Sequence, residues 1–307
     1  MDSNSIPISE FLDIELLARL PELELKARYL VSGCYSGMHK SPFRGNNAEF
    51  KEHRKYIHGD SITAIDWKIY ARTDRLHIRL YEEDTELSAA IFLDTSRSMD
   101  FQSEEAVMNK WDYAASIAAA CMLSMHNQKD MFTLNTVGAT PAPYQKPAGT
   151  LPHFRKMLER LRNRPESSGC ALSETLAEAA ACMRPGTIVI LISDFYNDPA
   201  EFNNVFDQLQ EKNCEILLFH VLDQAERFFP YRRTMLLQDS ESGEKMVLAP
   251  DLARKEYLNV LERHIAGLNE AAKSRRGDYV LFTTDRVPLE ALSTYLAARN
   301  RRGRRFR

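Results

Sequence analysis

From Glu86 onward, short apolar runs alternate with longer stripes of apolar residues at helical spacing. The run Ala89-Ala90-Ile91-Phe92-Leu93 stops abruptly at Asp94-Thr95-Ser96-Arg97-Ser98, as expected of a strand buried on both faces that enters a polar loop. Val107, Trp111, Ala114, Ala118, Cys121, Met122 and Met125 then trace one face of a helix, and residues 131–137 return to extended character. Helical segments at 150–163 and 172–183 precede a second apolar strand, 187–192, which also ends in polar residues, Ser193-Asp194. A helix over 199–211 leads to a strand over 215–221. After an irregular stretch around Phe228-Phe229-Pro230 come a strand near 244–248, a helix over 251–274, a strand over 279–282 and a helix over 287–299.

Apolar strands separated by amphipathic helices predict an α/β fold: a doubly wound, mostly parallel sheet covered by helices on both faces. Ligands of such sheets collect at the carboxyl ends of the strands, where Asp94 and Asp194 both fall. The first part of the chain has another rhythm. Phe11, Leu12, Leu16, Leu17 and Leu20, then Leu25, Tyr29 and Leu30, predict two helices meeting at Pro21, and residues 37–47 have loop composition. Alternation over residues 76–81 predicts a strand. We therefore divide the chain into an N-terminal helical and extended arm, residues 1–83, packed on a main domain, residues 84–299, with a basic tail at 300–307.

Composition narrows the functional classes. Hydrophobic residues make up 44% and charged residues 27% of the 307 positions, enough apolar surface for a large core and too much for a disordered chain. A net charge of −3 gives no general attraction to nucleic acid or anionic membranes. The arginines at 299, 301, 302, 304, 305 and 307, with Lys51, Arg54, Lys55, Lys68, Arg72, Arg75 and Arg79 of the arm, keep phosphate or anionic-surface binding as the competing function. The bland reading of the arginine cluster, and of the acidic run Glu82, Glu83, Asp84 and Glu86, is solvated surface. Five scattered cysteines without a C-x-x-C pair fit a reducing compartment. With neither a signal peptide nor a run of about 20 apolar residues, a cytoplasmic location is expected. G-x-S-x-G, P-loop, G-x-G-x-x-G and H-E-x-x-H motifs are absent from the sequence, and Ser96 stands where a D-x-D phosphatase needs its second carboxylate, so no enzyme is expected.

Asp94-Thr95-Ser96-Arg97-Ser98 has the D-x-S-x-S pattern of a metal-ion-dependent adhesion site. A carboxylate and two hydroxyls are hard donors suited to Mg2+, Ca2+ or Mn2+. The competing reading is a capped turn, with these side chains satisfying nearby backbone N–H groups.

Gly59-Asp60, Ile65-Asp66-Trp67-Lys68-Ile69-Tyr70-Ala71-Arg72 and the Asp94 loop together resemble the bacterial domain-of-unknown-function family numbered 58; Leu17-Ala18-Arg19-Leu20, Ser36-Gly37 and Ser41-Pro42 also resemble its arm. The resemblance implies a von Willebrand factor A-like (vWA-like) domain. It also implies a non-enzymatic adaptor for a MoxR-type AAA+ ATPase and its client proteins, in assembly or chaperone-like remodelling. By position it implies Asp94, Ser96, Ser98 and Asp194 as ligands of a divalent cation, Mg2+ first. Where the family's second metal loop usually has threonine stands Cys170, a soft donor ill suited to Mg2+, which leaves three alternatives: Ser168 as substitute, a water as substitute, or a site that has lost its metal. Asp60, Asp66, Trp67 and Arg72 match the arm motif. They form a partner surface beside the metal loops, or packing ties in which Trp67 anchors the arm on the sheet.

Overall fold

The computed structural model describes residues 49–57, 65–82, 87–106, 108–164, 167, 169–238 and 243–301. The helices expected within 9–36, the loop at 37–47, Gly59, Asp60, Ser168 and the tail beyond Arg301 lie outside the described residues.

The main sheet is built from β3 (Ser88–Asp94), β4 (Met131–Val137), β5 (Ile188–Ser193), β6 (Glu215–Leu222) and β9 (Asp278–Thr283), in the order β4-β3-β5-β6-β9. All four pairings are parallel. The two-residue repeat of a strand sends alternate side chains to opposite faces, and both faces are covered. Ile91, Leu93, Ile190, Ile192, Leu217 and Phe219 point to one core, shared with α2 (Lys110–Asn127), α3 (Leu151–Arg162) and α8 (Pro288–Arg301). Ala90, Phe92, Val189, Leu191, Ile216 and Leu218 point to the other, under α4 (Leu172–Cys182), α5 (Asn203–Glu211) and α7 (Pro250–Lys273). This double coverage is why β3 and β5 read as unbroken apolar runs rather than alternating ones.

Element boundaries follow local chemistry. Helix α2 starts at Lys110, not Val107, because the Asn109 side chain accepts from the Asp112 N–H at 2.7 Å, an N-cap. The segment expected as one helix over 199–211 divides into a 3-10 turn, Pro199–Phe202, and α5. The strand expected near 244–248 forms as β8 (Lys245–Leu248), but it pairs antiparallel with β7 (Met235–Gln238) outside the main sheet. β7 lies in the stretch whose sequence has no clear period. In the arm, β1 (Glu49–Lys55) and β2 (His77–Glu82) form a separate antiparallel pair, with α1 (Trp67–Thr73) between them in sequence.

Arg299 departs from the reading of the C-terminal arginines as solvated surface. It lies at the end of α8 with its side chain 1% exposed, donating to Asp278 at 2.6 Å and Glu215 at 2.5 Å. Burial alone would lower its pKa, but Tyr295 and Glu215 hold it above the ordinary value. The arginine ties the last helix to β6 and β9, so α8 runs on to Arg301, past the boundary drawn at 299. Removing one member of a buried ion pair leaves its partners desolvated and uncompensated, at about 3–5 kcal/mol. Arg299→Ala is expected to lower the unfolding free energy by about that amount in urea titrations; a loss under about 1 kcal/mol would mark the contact as an ordinary surface pair.

Candidate functional site

Strand β3 leads through α2 to β4 on one side, and the chain then returns past β3 to place β5 on the other. The order reverses between β3 and β5, and at such a switch point the loops leaving adjacent strands diverge and open a crevice. Leu93 is in register with Ile192, so the next residues, Asp94 and Ser193-Asp194, emerge side by side. Both aspartates are buried, at 1% and 2% exposure.

Asp94 is enclosed by donors. Its Oδ1 accepts from the Ser96 N–H at 2.8 Å and its Oδ2 from the Ser193 hydroxyl at 2.6 Å. Burial raises the Asp94 pKa, and the negative charge of Asp194 raises it further, against the lowering by Ser193 and Ser96. Burial and the same carboxylate push the Cys170 thiol up as well, so it stays protonated. The Ser96 and Ser98 hydroxyls lie 2.9 Å apart.

Asp194 is engaged differently. Lys110, the first residue of α2, is fully buried and places its ammonium 2.8 Å from Asp194 Oδ2 and 2.8 Å from Glu226 Oε1. Burial would lower its pKa, but the two carboxylates raise it above the ordinary value; it is an internal cation. Glu226 lies in the short helix α6 (Gln224–Phe228), where its Oε2 accepts from the Asp223 N–H at 2.8 Å in a capping box. Its Oε1 also accepts from the Tyr196 hydroxyl at 2.7 Å. Phe195, directly after Asp194, has φ +48°, a conformation that costs a non-glycine residue about 1–3 kcal/mol. The Ser193 hydroxyl accepts its N–H at 2.9 Å and His264 Nε2 lies 2.6 Å from its carbonyl oxygen.

The remaining loops lock the first one in place. The Arg164 guanidinium donates to the Thr95 carbonyl at 2.9 Å, to the Ser96 carbonyl and to Asp100, and stacks 4.7 Å over the Trp111 ring. Ser167 bridges to Ser96, and its hydroxyl accepts from the Ala139 N–H at 2.7 Å. The approach requires Gly138, where a Cβ would sit 2.9 Å from that hydroxyl.

These positions bear on metal binding. Adjacent ligands of an octahedral ion at about 2.1 Å stand about 3 Å apart, which the Ser96–Ser98 spacing matches. The Asp94 carboxylate on the same loop is a third hard-oxygen donor, the donor type that Mg2+ and Mn2+ take. Asp194 shares the crevice but is paired with Lys110, and Cys170 presents a protonated thiol. Among the described residues, no group of three or more His, Cys, Asp or Glu side chains is arranged to hold an ion. The capped-turn reading is also realised in part, in the Ser96 N–H bond to Asp94.

In the arm, Asp66 is a local cap: its Oδ1 accepts from the N–H groups of Lys68, at 2.9 Å, and Ile69, at 3.3 Å. Trp67 does not anchor the arm. It is 57% exposed, edge-on to Tyr70 at 6.1 Å, and Arg72 is exposed in the last turn. Helix α1 is one short capped segment without a buried residue; the buried apolar side chains beside it are Ile65 and Ile78.

Lys110, Glu226, Arg164 and Ser167 escaped sequence reasoning. Lys110 carried a signal, because it falls four residues before Ala114 on the apolar stripe of α2, a charge on a face that must be buried. Asp223-x-x-Glu226 carried another, the capping-box spacing after a strand. Arg164 and Ser167 carried none.

The raised pKa of Asp94 fixes a sign. Its folded value lies above the unfolded one, so the folded state binds the proton more tightly and stability falls as pH rises from about 4 toward the folded pKa. Asp94→Asn should melt about 2 °C or more above wild type at pH 8, because the amide is neutral and the Ser193 hydroxyl can turn to accept from it. The gap should close toward pH 4. A variant less stable than wild type at pH 8 by differential scanning calorimetry would contradict this.

The chain is similar to several known proteins. Uncharacterized proteins of Mycobacterium bovis and Mycobacterium tuberculosis are 28% identical to it over 295 residues, covering 94% of this chain and 91% of theirs. Among solved structures it is similar to the conserved hypothetical protein BatB from Bacteroides thetaiotaomicron, at 17% identity and TM-score 0.49, over 70% of this chain and 99% of that one. It is also similar to an aerotolerance-related membrane protein from Bacteroides fragilis, at 14% identity and TM-score 0.46, over 69% and 99%. A family model matches residues 52–266, more than half of the sequence, from within β1 through most of α7. The chain belongs to the family described as protein of unknown function DUF58.

Proposed function

We propose that this protein is a non-enzymatic interaction module whose contact face is the crevice between β3 and β5. The observation that carries the reading is the convergence of Asp94, Ser96 and Ser98 with Asp194 at the switch point of a doubly wound sheet. The groups there suit recognition better than turnover. Asp94 accepts one hydrogen bond on each oxygen, the Cys170 thiol is kept protonated, and the Lys110 ammonium is held between two carboxylates. None is a poised nucleophile or general base.

The vWA-like character implied by the family resemblance supports the same reading. A divalent cation, Mg2+ first, would be held by Asp94, Ser96 and Ser98, where it would supply Lewis acidity toward an acidic oxygen of the partner. The chain's own residues shape the face: Arg164 fixes the loop backbone from beneath, and Gly138 lets Ser167 pack against it. The exposed Trp67 and Arg72 on α1 offer a second contact of the kind rich in interface energy. The partner we propose is a MoxR-type AAA+ ATPase, with this protein as the adaptor that brings client proteins for assembly or remodelling in the cytoplasm. No described helix is long and apolar enough to cross a membrane.

Co-purification with a co-expressed MoxR-type ATPase tests the proposal. Asp94→Ala should reduce capture at least about tenfold, equivalent to about 1.4 kcal/mol, with an unchanged circular dichroism spectrum, and chelation should do the same to wild type. Capture that survives both would remove the ion from the account, and failure of the wild type to bind would reject the ATPase as partner. Turnover of a phosphorylated or acylated substrate, abolished by Asp94→Ala, would overturn the non-enzymatic reading.

A further inference from the structure

We propose that Lys110 is the resident cation of the Asp94–Asp194 crevice and sets its affinity for divalent ions. The inference rests on the reading of this crevice as an ion-accepting contact face, and concerns what limits ion binding there. The Lys110 side chain is 0% exposed, and its ammonium meets Asp194 and Glu226 at 2.8 Å each. The Tyr196 ring closes one side, 5.0 Å from the nitrogen. A buried ammonium is stable only where carboxylates compensate its desolvation, and here the carboxylates are fixed in turn. Glu226 is bound by the Asp223 N–H and the Tyr196 hydroxyl, and Asp194 sits between Ser193 and the strained Phe195.

The charges of the crevice explain the consequence. Asp194 and Glu226 share the Lys110 ammonium, and Asp94 adds a third carboxylate to the crevice. A divalent ion shared by Asp94 and Asp194 must compete with Lys110 for the second of them, across a short distance at which two cations repel. The wild-type crevice therefore leaves an ion only Asp94 and the two serine hydroxyls, a set of single negative charge. Affinity of an oxygen site for hard cations rises with the number of charged ligands. Lys110 acts here as a positioning residue: it holds Asp194 in the loop after β5 without an ion and weakens the site for one.

Calorimetric titration of Mn2+ into the metal-free full chain, with the Mn2+-induced shift in melting temperature as a second readout, tests this. Lys110→Met removes the cation, and Lys110→Met/Glu226→Gln removes it while leaving one carboxylate fewer to compensate. The expected result is Mn2+ binding at least about tenfold tighter in either variant, a larger melting shift than in wild type, and loss of the gain when Asp194→Asn is added. Undetectable Mn2+ binding by wild type, with a gain in the variants, supports the role of Lys110 while removing the ion from the wild-type contact face. A variant recovered in folded form only with Mn2+ also supports it. Folded variants that bind Mn2+ no tighter than wild type, a gain that survives Asp194→Asn, or variants that fold neither with nor without Mn2+ overturn it.

Discussion

Adjacent parallel strands that both lead into aspartate place two carboxylates in one buried crevice, and much of this structure answers the repulsion between them. Asp94 answers it with two donors, the Ser96 N–H and the Ser193 hydroxyl, and with a pKa that burial and Asp194 raise. Asp194 answers it with the Lys110 ammonium, which Glu226 and the cap of α6 hold in place. The requirement reaches far along the chain. Around the pair lie the first residue of α2, the capping box after β6 and the left-handed turn at Phe195, whose carbonyl meets His264 of α7.

The architecture was largely legible in the sequence because it depends on pattern. Strands buried on both faces give unbroken apolar runs, and α2, α3, α4 and α7 give helical stripes whose ends agree with the structure to within about three residues. What escaped was set by partners distant in the chain. β7 pairs only with β8 and has no core face to impose a period. Arg299 reads as one more tail arginine until Glu215 and Asp278 are brought to it. Trp67 invites an anchoring role by its size, yet the α1 helix that carries it buries nothing.

The candidate site divides in the same way. Asp94, Ser96 and Ser98 share one short loop, so spacing alone identifies them, and the strand-end position of Asp194 identifies it too. Lys110 is 84 residues from Asp194 and 116 from Glu226 in sequence, and only the fold reveals that the crevice already holds a cation. The same crevice thus combines a loop that carries a carboxylate and two hydroxyls 2.9 Å apart with a neighbouring loop whose carboxylate is already neutralised. That combination favours a face that is ordered before any ion or partner arrives, which lowers the entropic cost of association.

The claim on which the account turns is that partners meet this protein at the carboxyl ends of β3 and β5. Hydrogen–deuterium exchange of the full chain, alone and with a co-purified MoxR-type ATPase, measures it directly. The account predicts added protection at the backbone amides of residues 95–100 and 195–198, with little change at the opposite edge of the sheet around Thr187 and Glu215. Protection confined to that opposite edge, or to the β7–β8 hairpin, would contradict it.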